Sequence, residues 1–356
     1  MNPSVSPGPV RAGAQPSSAP VSDAGPAPIG VVGRRLLLAN VVAEVGIVVT
    51  GGLVRLTGSG LGCPTWPECT DGSLVPVTSQ SEGFHKFIEF GNRLLTFAVL
   101  LAAVTALFVV LRPWLAARLP RVLPGLARRL GSPGPVRRPL VWLAAAVAVG
   151  IVGQAVLGGI TVLLDLHPAT VAAHFLLSMA MIAAAYLLFR RAADPGDQPV
   201  TIVVRPELRW LAAALVVVGV LVLVLGTVVT GSGPHSGDSE VITRFSLDVR
   251  MMSWLHADVV LVFVGLALAF VVGARMSGAP GSVVRAGVAL LAACLVQGVI
   301  GYTQYFTGVP VPLVALHMLG ACLVWIATLE VLLSTRRRGR HEPHDDKADQ
   351  GSVVVA

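Results

Sequence analysis

The sequence predicts an all-α integral membrane protein, with eight transmembrane helices arranged as two tandem four-helix bundles related by a pseudo-twofold axis along the membrane normal. Three observations predict it. The 356-residue chain is 54% hydrophobic and only 13% charged, with a mean hydropathy of +0.77. Soluble domains carry about a quarter charged residues, so half that density excludes a water-soluble enzyme. Eight apolar stretches of spanning length alternate with short basic connections, and the two halves of the chain repeat one another.

Residues 1–33 are rich in Pro, Ala, Gly and Ser, lack apolar periodicity, and read as a disordered tail. A spanning helix needs about 20 mostly apolar residues. Stretches at 35–55, 86–111, 139–163 and 170–190 meet that need and form a first half over 34–190. A cytoplasmic linker at 191–208 follows. Stretches at 209–230, 251–273, 286–305 and 312–334 form a second half over 209–335, ahead of a basic tail at 336–356. The first stretch is full length, contains Glu44 and leads into Gly-Ser, so it is read as a helix that stays rather than a cleaved signal.

Orientation follows from the cations. The N-terminal flank, the connections at 112–138, 190–209 and 275–285, and the tail hold 21 of the 26 Lys and Arg residues. These segments share one face, which the positive-inside rule makes cytoplasmic, so both termini are expected inside a cytoplasmic membrane. The formal charge of +7 is thus a topology signal, and no nucleic-acid partner is expected. Cys63 and Cys69 fall in an outer loop with Pro64 and Pro67 between them. That compartment permits oxidation, so a local disulfide is expected, with a reactive thiol pair as the alternative.

The repeat decides the architecture. Gln154, Gly158, a polar break and His174 recur as Gln297, Gly301, a break and His317, and both Gln-to-His spacings are 20 residues. VVTGG followed by TGSG at 48–60 matches VVTGSGPHSGD at 228–238. A duplicated bundle tends to duplicate its site.

Ionisable groups central in a bilayer cost roughly 2.5–3.5 kcal/mol, so each is a functional candidate. They are His85, Glu89, Arg93, His174, His256, Asp258 and His317, with Glu44 and Glu330 as weaker ones. His85, Glu89 and Asn92 share one face of the second helix. His256 and His317 stand on the sixth and eighth helices, Asn92 and His174 on the matching second and fourth. Two imidazoles facing each other from two helices are what a six-coordinate heme requires. The same residues could instead relay protons or pair helices. Zinc is disfavoured because no cluster of three or four ligands is visible. Cys294 and Cys322 read as small buried hydrophobes, Asp258 as a polar contact or a water-lining group, Glu44 as a hydrogen-bonding neighbour, and Glu330 as solvated near the cytoplasmic end. Arg55, Arg93, Arg244 and Arg250, near outer helix ends, are candidate cations for heme propionates or simple interfacial anchors.

These residues resemble the heme A synthases of bacterial and mitochondrial respiratory membranes. VVTGGLVRLTGSGLGCPTWPEC at 48–69 is similar to that family's first helix and cysteine loop, and IEFGNRLLTF at 88–97 to its Glu-x-x-His-Arg helix. The likeness covers about 34–335. It implies an oxidoreductase acting on heme O, which oxidises a ring methyl to a formyl group with water as the oxygen source. The product is heme A for the terminal oxidase, placing the chain in cytochrome oxidase assembly. It further implies a heme b cofactor whose iron is held by His256 and His317, and a substrate half involving Glu89 as the catalytic carboxylate with His174, Asn92 and Arg93. A heme O synthase would deliver the substrate, and an acceptor outside the chain would take the electrons.

One departure matters. Asn92 stands where the family has His, so either His174 is the only protein ligand to the substrate iron, or His85, two turns earlier on the same face, takes part. Two other readings use the same residues. A b-type cytochrome or quinol oxidoreductase would need the histidines but not Glu89. A duplicated-bundle transporter would favour interrupted helices, whereas the Gly-rich pieces here lie at helix ends.

Overall fold

The computed structural model describes residues 29–194, 199–238 and 240–339. Most of the expected tail at 1–33, part of the linker at 191–208 and the basic tail beyond 339 lie outside the described residues. Eight long apolar helices are present: α1 (Val31–Leu56), α2 (His85–Arg118), α4 (Arg138–Leu163), α5 (Pro168–Arg191), α6 (Pro206–Ser232), α7 (Val249–Met276), α8 (Gly281–Phe306) and α9 (Val311–Ser334). A short helix α3 (Pro124–Leu130) lies between α2 and α4.

Helix ends depart from the expected ones in the direction that end chemistry predicts. α1 begins at Val31, so the last three residues assigned to the tail are helical. α2 continues through Pro113 to Arg118, because a proline forfeits only its own bond to the preceding turn. Prolines occupy the first turn of α4, α5, α6 and α9, where a missing N–H costs nothing. Asp248 caps α7 by accepting from the Met251 N–H at 2.7 Å.

The helices pack as two closed rings. In the first, α2 and α5 each contact both α1 and α4; in the second, α7 and α9 each contact both α6 and α8. Lipid tails are as apolar as the side chains, so association depends on close approach. Small residues provide it: Ala103, Ala106, Ala144 and Ala185 are fully buried in the first ring, Ala212, Ala267 and Ala274 in the second. The rings meet where α1 and α5 contact α9 and α5 contacts α6. Val48, Met179, Ile182, Cys322, Trp325 and Leu329 fill that seam, and the Trp325 indole donates to the Met179 carbonyl at 2.9 Å. Cys294 and Cys322 are buried free thiols.

Both ends of the seam are tied. At the end of the seam where α5 finishes and α9 finishes, Glu330 accepts from Arg190 Nε at 2.6 Å and Nη2 at 2.8 Å, and from the Tyr186 hydroxyl at 2.8 Å. This corrects the expectation of a solvated Glu330: the carboxylate is a bidentate partner joining α5 to α9. Strand β1 (Val200–Ile202) of the linker pairs antiparallel with β2 (Arg336–Arg338) after α9, so the start of the basic tail is ordered. At the opposite end the two similar segments of the repeat meet each other. Ser59 and Asp238 form an isolated bridge, and the Gly60 N–H donates to the Gly237 carbonyl at 2.8 Å. Gly237 has φ +111°, and a Cβ at Gly60 or Gly237 would lie within 2.8 Å of the Leu166 side chain. Only glycine satisfies both demands.

Candidate functional site

The Gln-to-His spacing of 20 residues is a hydrogen bond between helices. Gln154 Nε2 on α4 donates to the His174 carbonyl on α5 at 3.1 Å, and Gln297 Nε2 on α8 donates to the His317 carbonyl on α9 at 2.7 Å. Each contact fixes the height of a histidine-bearing helix against its neighbour. The glycine one turn after each glutamine supplies the next feature. A Cβ at Gly158 would lie 3.2 Å from His174 Cε1, and one at Gly301 would lie 3.1 Å from His317 Cε1. On the third pair of helices, a Cβ at Gly226 would lie 3.4 Å from His256 Cε1.

Each imidazole therefore lies in a glycine notch. In all three the Nδ1 atom is buried without a partner at hydrogen-bonding geometry. All three rings line one cavity of about 1930 Å³ that runs through both helix rings. This is roughly twice the ~1,000 Å³ upper range of a single small-molecule pocket. Nε2 is the ring nitrogen left on the cavity side, as an axial ligand needs.

Asn92 completes the set. It lines the cavity on the α1–α2 pair with its Oδ1 unpartnered, and a Cβ at Gly51 would lie 3.7 Å from its Nδ2. The structure brings Asn92 and His174 into the wall of the first ring, and His256 and His317 into that of the second. It does not bring His85 there. His85 stands at the outer start of α2, with Nδ1 2.8 Å from the Ser59 hydroxyl, and is not a cavity-lining residue. Of the two alternatives for the first half, the geometry leaves His174 without a second histidine.

Glu89 and Arg93 both line the cavity, near its outer rim. Arg93 Nη2 and Nε donate to Glu89 Oε1 at 2.7 and 3.1 Å, and the Cys63 N–H donates to Glu89 Oε2 at 2.7 Å. The same guanidinium donates to the carbonyls of Cys63, Thr65 and Glu68. Arg93, expected to contact substrate, thus spends its donors on Glu89 and the cysteine loop. Cys63 and Cys69 in that loop form a disulfide and are fully buried. Trp66, between them, presses on α4 so closely that a Cβ at Gly159 would meet its ring at 2.3 Å. The loop closes over the first-ring cavity.

Other candidates fall into place individually. Asp258 and Arg250 line the cavity. Arg55 lines it as well, but donates to the carbonyls of His235 at 2.8 Å and Thr230 at 3.2 Å, across the seam. Arg244 donates to the Pro234 carbonyl at 2.9 Å. Arg55 and Arg244, candidates for propionate cations or interfacial anchors, each give part of their donor set to the backbone. Glu44, expected to hydrogen-bond a neighbour, has no hydrogen bond among the described residues; it is 2% exposed and faces the cavity. Sequence reasoning did not find Trp66, the notch role of the glycines, or Met318. The Met318 thioether follows His317 and crosses the seam to fill the space beside Gly52 of α1. The repeated Gly158 and Gly301 were the available signal for the notches. Met318 had none. Among the described residues there is no cluster of three or more metal-binding side chains.

Comparison with known proteins agrees with this geometry. A family model described as Cytochrome oxidase assembly protein, COX15-CtaA, matches residues 34–329. The Heme A synthase of Methylobacterium sp. (strain 4-46) is 27% identical over 374 residues, covering 91% of this chain and 98% of that protein. The Heme A synthase of Alkalihalophilus pseudofirmus is 28% identical over 169 residues, and the chain spans 49% of its length. That of Geobacillus thermodenitrificans is 44% identical over 48 residues, and the chain spans 14% of its length.

Proposed function

The chain belongs to the Cytochrome oxidase assembly protein family, and from that premise we propose that it is a heme A synthase, an oxidoreductase that converts a ring methyl of heme O to a formyl group in a bacterial membrane. The observation that carries this reading is the set of three notched imidazoles and one asparagine around a common cavity. The second ring would hold heme b through His256 and His317, and the first would receive heme O on His174. The two halves are related by an axis along the membrane normal, so each ring presents its site at the same depth. Both termini lie on the cytoplasmic side, as the arginine distribution requires, and the cysteine loop closes the substrate half from outside.

With water as oxygen source, one methyl and one water give a formyl group, four protons and four electrons. Heme b supplies one-electron redox capacity when bound, and an acceptor beyond the chain takes the electrons. The chain's own residues position, exclude and deprotonate. Notched against glycine, each imidazole keeps one orientation, so a ligated iron has a fixed centre. Asn92 fills the fourth place with an amide, which leaves one face of the substrate site open to water. Trp66 and the disulfide loop close the outer mouth. Glu89, held at the rim by Arg93 and the Cys63 N–H, keeps a carboxylate where protons are released. A b-type electron carrier has no use for that carboxylate.

The test is pigment analysis of the full chain purified from cells that make heme O. Extracted porphyrins should comprise heme b together with heme O and formyl-bearing heme A. Heme b alone would favour the electron carrier, and no heme at all a transporter.

The notches make a second expectation. Gly301→Ala introduces a Cβ 3.1 Å from His317 Cε1, so the imidazole must give by a few tenths of an ångström. A Cβ at Gly298, which also lines the cavity, would meet nothing within 4 Å. The Gly301 variant should shift or broaden the low-spin heme spectrum while Gly298→Ala leaves it unchanged. Identical spectra would show that the notch does not orient the ligand.

A further inference from the structure

We propose that Glu44 is a specificity-determining residue of the substrate pocket. Its carboxyl accepts a hydrogen bond from the hydroxyl on the substrate's farnesyl-bearing substituent, and so fixes which ring methyl faces Glu89. This rests on the reading that the first ring takes heme O.

Glu44 lies in the middle of α1, 2% exposed, and faces the cavity beside Ile47 and Val48. Its Oε1 is sealed without a partner. A buried polar atom that has lost water without gaining a protein partner favours an occupant that brings a donor over a purely hydrocarbon one. Of the other polar groups on the first-ring wall, Asn92 also leaves its Oδ1 unpartnered, but it stands beside Gly51, seven residues along α1 from Glu44. Ser178 donates to the His174 carbonyl and Thr328 to the Val324 carbonyl, and Asn40, one turn deeper on α1, does not line the cavity. Gln154 also leaves its Oε1 unpartnered, but so does Gln297 in the second half. That feature is common to both sites and cannot distinguish their ligands.

Glu44 does distinguish them. Aligning VVTG at 48–51 with VVTG at 228–231 places Val224 opposite Glu44, so the carboxyl belongs to the substrate half alone. Its depth also fits. Glu44 is seven residues below Gly51, the neighbour of Asn92, which is about 10 Å along the helix. This separation is comparable to the half-width of a substituted porphyrin plus a hydrogen bond. Glu89 stands toward the opposite, outer edge. An iron ligand fixes the centre of a porphyrin but not its rotation about the axial bond, and four ring methyls compete for the reacting position. Heme O carries two propionates on one edge and, away from them, one hydroxyl-bearing substituent. A deep acceptor for that hydroxyl gives the ring a further fixed point in its rotation.

The test titrates the full-length protein with heme O and with heme b, which has neither the hydroxyl nor the farnesyl chain, and follows binding by absorbance. Wild type is compared with Glu44→Leu, with Glu44→Val, which installs the second half's residue, and with Glu44→Gln, which keeps an acceptor. The farnesyl contribution is common to all four proteins, so the change in the heme O to heme b affinity ratio isolates the hydroxyl contact. Leu and Val should lower that ratio about tenfold, as the loss of one buried hydrogen bond predicts, and Gln should keep it. The low-spin spectrum of the second-half cofactor serves as the folding control. An unchanged ratio in both apolar variants overturns the proposal while leaving the substrate-half reading intact. A wild-type protein that takes up no heme beyond the second-half cofactor overturns both.

Discussion

Replacing either His256 or His317 with alanine should abolish the low-spin spectrum of the second-half heme, the largest spectroscopic effect expected of any single change in this chain. Each imidazole would supply one ligand to the iron, and its neighbours in sequence do not replace it. Met318, one residue on, is directed across the seam into the space beside Gly52 of the first ring. The folded protein should survive. The Arg190–Glu330 pair, the Gly60–Gly237 contact at the other end of the seam and the Cys63–Cys69 disulfide involve neither histidine. Loss of the spectrum with normal amounts of disulfide-linked protein in the membrane is therefore the expected outcome. His174→Ala should behave differently, retaining the low-spin cofactor and losing heme O. An unchanged spectrum in both second-half variants would mean that these histidines only pack helices.

Glu89→Gln should still bind heme O but lower heme A formation by about 10²-fold or more, the range typical of a removed acid–base group. The variant should accumulate heme O or a hydroxylated intermediate. Glutamine keeps an oxygen able to accept from the Cys63 N–H, but it removes the charge that faces Arg93. A structural explanation has to be separated from a chemical one, because Glu89 and Arg93 together anchor the loop. Arg93→Lys makes the separation. Lysine cannot reproduce the planar set of donors that reaches Glu89 and three loop carbonyls, yet it leaves the carboxylate in place. If Glu89 only holds the loop, both variants lose activity together. If it handles protons, Glu89→Gln falls further than Arg93→Lys. Near-normal heme A yield from Glu89→Gln would defeat the assignment.

Particular residues mark where reading the chain succeeds and where it stops. The pair Glu89 and Arg93 is legible from i,i+4 spacing, and the structure contains it. Its larger role is not, because Arg93's other acceptors are carbonyls 25 to 30 residues earlier in the chain. The repeat of Gln154 and Gln297 is visible as a spacing, but only the packed helices turn the spacing into an amide-to-carbonyl bond. Glu330 near a helix end reads as solvated. Its partner Arg190 lies 140 residues away on a helix that nothing local assigns to it. His85 and Asn92 share a helical face, yet the loop carrying Ser59 takes up His85.

The sequence by itself determined the eight spans, their order and the duplicated histidine positions. Lipid requires long uninterrupted apolar runs with satisfied backbones, and that requirement is additive along the chain and readable one segment at a time. The tertiary structure alone decided which glycine faces which imidazole, that one cavity joins both rings, that Trp66 and its disulfide loop close the first, and that Glu44 faces the cavity unpartnered. Those features depend on the rotation and relative height of packed helices. Small residues and a few long-range hydrogen bonds set these, and neither hydropathy nor spacing encodes where such contacts meet.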